Sequence, residues 1–323
     1  MAVAQSGEKE RNSRKVRLQS TTTSAFGVSR REGHDATDFY KRFAPLKQDK
    51  SGEPNQQKVV DKIFAGDSRA MKEVADNSVA LVVTSPPYYA GKEYELELGS
   101  GGVPSNYFEY LEMIRNVFTE CWRVLEPGGR IAVNVANLGR KPYRSLSADI
   151  TGILQDDLGF LMRGEVLWIK AEGASGSCAW GSFKSAANPV LRDVSERVIL
   201  ASKLRLDRAV DRKKREVMGL PFENTISKEE FMESTLDVWK IRPESAKKIG
   251  HPAPFPVELP RRLIELFTYK GDLVLDPFLG AGTTAVASVM TDRHYIGYET
   301  DKKYVKLARE RVKIEQGNLS AEK

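Results

Sequence analysis

Val79-Ala80-Leu81-Val82-Val83-Thr84-Ser85-Pro86-Pro87-Tyr88 decides how the chain is read. Five consecutive small or branched apolar residues predict a buried parallel strand, and two prolines stop it abruptly. Pro87 holds Pro86 in an extended conformation, so the loop is expected to be stiff. A stiff strand-terminal loop with one hydroxyl, exposed carbonyls and one aromatic ring suits a flat ring that carries an amino group. Tyr88 can stack on such a ring. The Ser85 hydroxyl and a proline carbonyl can accept from its NH2 group, because neither proline nitrogen offers a competing donor. The plainer alternative is a Pro-rich surface turn.

A complementary pattern lies near the C-terminus. Leu273-Val274-Leu275-Asp276 reads as a strand, Pro277-Phe278-Leu279-Gly280-Ala281-Gly282-Thr283-Thr284 as a turn, and an Ala/Val-rich helix follows. Strand, Gly-rich turn and helix bring backbone N–H groups close to a ligand. Gly280 and Gly282 are spaced as the first two glycines of a dinucleotide loop, without the third. Tyr295-Ile296-Gly297-Tyr298-Glu299 predicts the next strand and ends in an acid 23 residues after Asp276. A carboxylate there can accept both hydroxyls of a ribose. Asp276 is a second strand-end acid, whose structural alternative is to cap the glycine loop.

The fold is expected to begin near Lys58. Val59–Phe64 reads as a strand and Ser68–Val74 as a short helix, which leaves Asp67 at a strand's carboxyl end. Ligand contact and helix N-capping are equally open for Asp67. Apolar residues at helical spacing from Phe108 to Leu125 predict a core-facing helix in which Cys121 and Trp122 pack. Strands follow at 130–135, 166–169 and 195–202, and helices at 257–268 and 304–314.

Three stretches stand outside this frame. Residues 1–57 are polar, with eleven Lys/Arg against six Asp/Glu through residue 50, and are expected to be largely disordered. Residues 171–188 are Gly-, Ser- and Ala-rich around Trp180, Phe183 and Lys184, either a loop that lies on nucleic acid or a flexible connector. Residues 204–249 carry the basic run Arg205, Arg208, Arg212, Lys213, Lys214 and Arg215, with a small satellite core. They read as an inserted recognition region or as a solvated excursion. The organisation is thus a tail (1–57), one half of a domain (58–203), an insert (204–249) and the other half (250–323).

The composition is that of a globular protein, 41% hydrophobic and 29% charged, with a formal charge of +6 that favours a polyanionic partner. Cys121 and Cys178 form no metal-type spacing, so no metal and no disulfide dependence are expected. No apolar run approaches the ~18 residues of a membrane span. The reading is an intracellular, soluble protein.

With these residues placed, the chain resembles the β-class DNA amino-methyltransferases over roughly residues 58–314. These are the cytosine-N4 and adenine-N6 enzymes of bacterial and archaeal restriction-modification systems. The resemblance rests on Thr84-Ser85-Pro86-Pro87-Tyr88 preceding Asp276–Thr284, with His251-Pro252-Ala253-Pro254-Phe255-Pro256 just before the latter. It implies an α/β, Rossmann-like fold that uses S-adenosylmethionine. The sheet is expected to be seven-stranded and mostly parallel, in circularly permuted order with the catalytic half first. Asp276, Phe278, Gly280, Gly282 and Thr283 would line the methionine end of the cofactor, and Phe255 would belong to the segment covering it. Glu299 would hold the ribose, and Asp67 would contact the adenine. Ser85, Pro86, Pro87 and Tyr88 would hold the target base.

Serine in the first motif position points to cytosine-N4 within double-stranded DNA, reached by base flipping. Adenine-N6 methylation and a non-catalytic DNA-binding regulator are the alternatives. The absence of a Pro-Cys nucleophile argues against methylation at carbon 5. A cytoplasmic, nucleoid-associated prokaryotic enzyme, monomeric or homodimeric and with a cognate restriction endonuclease as a functional partner, completes the expectation.

Overall fold

The apolar runs become strands of one eight-stranded sheet in a computed structural model. It describes residues 48–89, 104, 106–137, 142–170, 181–191, 193–244 and 255–322. The strands are β1 (Lys62–Ala65), β2 (Val79–Thr84), β3 (Leu125–Val135), β4 (Leu161–Ile169), β5 (Ser195–Ser202), β6 (Val238–Lys240), β7 (Leu273–Asp276) and β8 (His294–Glu299). Their order is β1-β8-β7-β2-β3-β5-β4-β6. Only β5 runs against the rest: it pairs antiparallel with both β3 and β4, and every other neighbouring pair is parallel.

Helices cover both faces. They are α1 (Tyr107–Val124), α2 (Leu146–Gly152, continued by a π turn to Asp157), α3 (Arg212–Val217), α4 (Lys228–Ser234), α5 (Glu258–Phe267), α6 (Thr283–Met290) and α7 (Lys302–Glu322). Alternation within β2 shows how the layers form. Val82 packs with Ile114, Phe118 and Leu146 on one side, whereas Leu81 and Val83 pack with Leu259, Leu263 and Ala287 on the other. A strand buried on both faces needs apolar residues at every position, and that is the composition of 79–83.

Several expectations are corrected. Ser68–Val74 forms turns rather than a helix, and the first strand starts at Lys62 rather than Val59. The buried face of α1 is Tyr110, Ile114, Val117, Phe118, Cys121 and Val124, while Phe108 is 72% exposed. Asn106 begins the helix by accepting from the Phe108 and Glu109 N–H groups, so the apolar stripe starts one turn later than the first aromatic. The sheet has eight strands, not seven. Trp239 and Ile241 form no satellite core but join the core on the α5 face of the sheet with Trp168, whose indole N–H donates to the Ile241 carbonyl at 2.8 Å.

The segment 204–249 is therefore woven into the body as far as its described residues reach. β6 extends the sheet, and α4 is tied to α5 by Arg261–Glu230 and Arg262–Glu233. Residues 48–57 also bond to the body, with Asp49 N–H donating to Leu204 and Asn55 N–H to Asn77. Residues 1–47 and 171–180, together with Arg140, Lys141 and His251–Pro254, lie outside the described residues.

The basic run takes a structural place. β5 is antiparallel, so Ser202 pairs with Arg130 near the start of β3, and the chain leaves the sheet at the end opposite the C-terminal edges of the parallel strands. There Gly128, at φ +80°, lets the loop approach so closely that a Cβ would lie 2.0 Å from the Asp207 carbonyl oxygen. Arg208 pairs with Glu126 and, at 3.0 Å, with Asp272; Arg215 pairs with Asp272 at 2.9 Å and is 1% exposed. Both guanidiniums lie over Tyr269. Arg208 and Arg215, expected on DNA, are thus internal ion-pair partners. Arg205 pairs with Asp207 at 2.7 Å, while Arg212, Lys213 and Lys214 are exposed at this same far end.

Arg208→Ala should lower unfolding free energy by about 3–5 kcal/mol, because among the described residues it leaves the buried Glu126 and Asp272 carboxylates to share Arg215 as their one ion-pair partner. Urea denaturation reads this directly, and a loss of only about 0.5 kcal/mol would return the residue to the surface class.

Candidate active site

The parallel strands bring their C-terminal ends to one edge, and the residues singled out above gather there. Asp276, at the end of β7, is 1% exposed. Thr84 at the end of β2 donates its hydroxyl to Oδ1 at 2.7 Å, Thr284 of α6 donates to Oδ2 at 2.7 Å, and the Phe278 N–H donates to Oδ1 at 3.1 Å. Burial nonetheless dominates and pushes the carboxyl up to about 6, against the three hydrogen bonds that lower it; the nearby Glu299 raises it further. Asp276 therefore caps the glycine loop and also ties that loop to the Ser-Pro-Pro-Tyr segment.

Glu299 ends β8 next to it. Its carboxylate accepts from the Gly280 N–H at 2.8 Å and the Asp301 N–H at 2.9 Å. Burial again raises its pKa, the backbone hydrogen bonds working against it. Gly282 sits at φ +83° as the cap of α6, with Ala308 of α7 so close that a Cβ would meet its Cβ at 2.7 Å. Among the described residues neither acid has a cationic partner. Two desolvated carboxyls without a cation, beside a glycine turn at a helix start, fit a ligand that carries positive charge and hydroxyls.

Other expected contacts fall unevenly. Phe278 is half-buried against the core and Phe255 packs on the second core beside α5. Asp67 lies just beyond β1, whose Ala65 pairs with Glu299, and so reaches the same edge. It is exposed, its carboxylate accepting from the Arg69 N–H at 2.8 Å and Nε at 2.7 Å. Thr283 at the start of α6 is 4% exposed and its hydroxyl accepts from Arg311, so its side chain braces α7. Lys184 is exposed at φ +56° in a short turn closed by the Gly181–Pro189 bridge, its ammonium 5.5 Å from the Phe183 ring centre. In sequence that turn lies between β4 and β5, whose ends at Ile169 and Ser195 stand at the edge that carries Ser85.

Beside Asp276, the Ser85–Tyr88 loop is pinned from several sides. Tyr110 of α1 donates its hydroxyl to the Pro87 carbonyl at 2.6 Å. Among the described residues no donor reaches the Pro86 carbonyl. Ser85 Oγ lies 2.9 Å from the Tyr88 hydroxyl. That hydroxyl donates to Glu196 Oε2 at 3.0 Å and accepts from Asn134 Nδ2 at 3.1 Å. Asn134 Nδ2 also donates to Glu196 Oε2 at 2.6 Å, and Lys170 Nζ meets Glu196 Oε1 at 2.9 Å.

Asn134, Lys170, Glu196 and Tyr110 were not read from the sequence. One signal was available: Glu196 shares a strand face with Val198 and Leu200, and an acid in an otherwise buried apolar register needs a partner. Cys121 is buried in the core and its thiol is pushed up by desolvation, as its packing role requires. Among the described residues no acidic, His or Cys cluster could hold a metal ion, and no helix is long and apolar enough to cross a membrane.

The DNA methylase family model for N6 and N4 enzymes matches residues 79–310. This chain belongs to that family. The type II methyltransferase M.MjaI of Methanocaldococcus jannaschii is 32% identical over 291 residues, covering 80% of this chain and 93% of the relative. A Thermus thermophilus protein assigned as a DNA modification methylase, solved with S-adenosyl-L-methionine, superposes with a TM-score of 0.60 at 29% identity. That match covers 79% of this chain and 95% of the other. PvuII DNA methyltransferase, cytosine-N4-specific, shares the fold at a TM-score of 0.58 and 19% identity, over 82% of this chain and 89% of its own. Members of this N4/N6 methylase family use S-adenosylmethionine, and the uncompensated carboxyls at the glycine turn suit its cationic head.

Between about pH 4 and 6 the folded methylase keeps a proton on Asp276 that an unfolded aspartate has released. That contribution to stability is complete below the ordinary aspartate range and is lost as pH rises through about 6. From about pH 4 to 6, wild-type stability should fall relative to Asp276→Asn. Parallel denaturation profiles of the two proteins across that range would mean the carboxyl is not desolvated.

Proposed function

We propose that this methylase transfers a methyl group from S-adenosylmethionine to the exocyclic N4 amine of cytosine in double-stranded DNA, with the base turned out of the helix. The observation that carries the reading is the Thr84–Asp276 hydrogen bond. It holds the acceptor loop one residue away from the carboxyl that caps the glycine turn, so amine and methyl donor meet at one point on the edge.

An exocyclic amine is a weak nucleophile because its lone pair is delocalised into the ring. Ser85 Oγ and the Pro86 carbonyl accept its two N–H groups, which favours the pyramidal, attacking nitrogen and stabilises the charge that develops. Tyr88 stacks on the base, with its hydroxyl anchored so that the ring stays in place. When bound, the cofactor supplies an electrophilic methyl on a sulfonium. Asp276 and the Gly280–Gly282 turn hold its charged end, Glu299 accepts the ribose hydroxyls, Asp67 lies at the adenine end, and Phe255 covers the site. Alignment contributes much of the rate. A neutral serine, rather than an acid, suits cytosine. The second reading is adenine-N6, which the same acceptor pair also accommodates.

Nucleoside mass spectrometry after incubation with unmethylated DNA and isotopically labelled cofactor should find label in N4-methylcytosine. Label in N6-methyladenine would overturn the assignment of the base. Tyr88→Ala should lower turnover about 5–100-fold through lost stacking with cofactor affinity retained. Glu299→Ala should weaken cofactor binding about 10–100-fold.

DNA approaching this edge meets the Phe183–Lys184 turn rather than the 205–215 run. Lys184→Ala should therefore flatten the salt dependence of DNA binding, whereas replacing Arg212, Lys213 and Lys214 together should leave it unchanged. The opposite result would place the duplex at the far end of the sheet.

A further inference from the structure

We propose that Glu196, held by Lys170, sets the direction of the hydrogen bonds from Tyr88 to Ser85, so that Ser85 meets the target amine only as an acceptor. The inference rests on the function proposed above and assigns a positioning residue for that reaction.

A phenol has one proton, and among the described residues two acceptors compete for it, Glu196 Oε2 at 3.0 Å and Ser85 Oγ at 2.9 Å. A carboxylate paired with an ammonium 2.9 Å away is much the stronger acceptor. The Tyr88 proton therefore points to Glu196. The Ser85–Tyr88 contact then requires the serine proton to point at the Tyr88 oxygen. Only lone pairs of Ser85 Oγ remain for another partner. In the reverse arrangement the serine proton would be free to face the incoming N–H and repel it.

The same carboxylate fixes Asn134. Its amide nitrogen lies 2.6 Å from Glu196 Oε2, and a flipped amide would turn an oxygen onto a carboxylate. Glu196 is 8% exposed, which strengthens each of these bonds relative to water. Its location follows from topology. β5 is antiparallel, so its first residues, not its last, reach the catalytic edge, beside Lys170 at the end of β4 and Asn134 at the end of β3.

Glu196→Gln preserves shape but removes the charge and lets the side chain donate. Turnover should fall tenfold or more, while the affinities for cofactor and DNA stay at wild-type values. Tyr88→Phe cuts the same chain without touching Glu196 and should show a comparable loss of kcat, so the test survives if the glutamine variant folds badly. The deciding measurement is the double variant. Glu196→Gln should cost nothing more in a Tyr88→Phe background, because the carboxylate acts through that hydroxyl. Fully additive losses, or a normal kcat in Glu196→Gln, would overturn the inference. A wild-type enzyme that puts no label into DNA would instead sink the proposed function, so the two failures are distinguishable.

Discussion

One buried carboxylate joins the two halves of the site. Asp276 accepts from the Thr84 hydroxyl on β2, 192 residues away in sequence, and from the Thr284 hydroxyl on α6, the helix that follows its own strand. Without those donors an aspartate at 1% exposure would carry an uncompensated desolvation cost of several kcal/mol. With them the Ser85–Tyr88 loop is registered against the glycine turn. The relative placement of the two loops is thus an outcome of solvating one acid with protein hydroxyls.

The sheet divides its tasks between its two ends. At the C-terminal edges of the parallel strands the polar groups are held yet partly unspent: among the described residues no donor reaches the Pro86 carbonyl, and Glu299 has hydrogen-bond donors but no cation. At the other end several charged groups are paired with one another. Arg208, Arg215, Glu126 and Asp272 satisfy one another, and Arg130, whose pKa burial lowers to about 9, lies over Phe267. Basic residues in such numbers suggest a nucleic-acid surface until their partners are known. Arg208 and Arg215 have internal partners, and Arg212, Lys213 and Lys214 stay exposed.

This contrast explains what was legible. Strand positions came through because residues buried on both faces leave an unbroken apolar run, as at 79–83, and the two loops came through because proline and glycine have few conformational uses. β6 did not, since three residues in a Val-Trp-Lys pattern leave no periodicity to detect, and their pairing with β4 is made by the sheet rather than by local preference. The Arg208 and Arg215 pairs were hidden for another reason: their acids lie at 126 and 272, and charge is read locally while ion pairs form across the fold. Glu196 belongs to the same class. Its strand was evident, but which end of that strand faces the chemistry depends on the antiparallel sense of β5, and no residue within 195–202 encodes that.

The order of strands also has a temporal side. β1 pairs with β8, so Ile63 lies opposite Gly297, and β2 has β7 as one of its two neighbours. During synthesis the first strand must wait for a partner made more than two hundred residues later, and β2 emerges with one edge open until β7 arrives. Contacts of such sequence separation slow folding and leave unpaired apolar edges exposed meanwhile. For this chain the vulnerable interval falls while it is still on the ribosome, and its yield in the cell depends on how long those edges are kept from other chains.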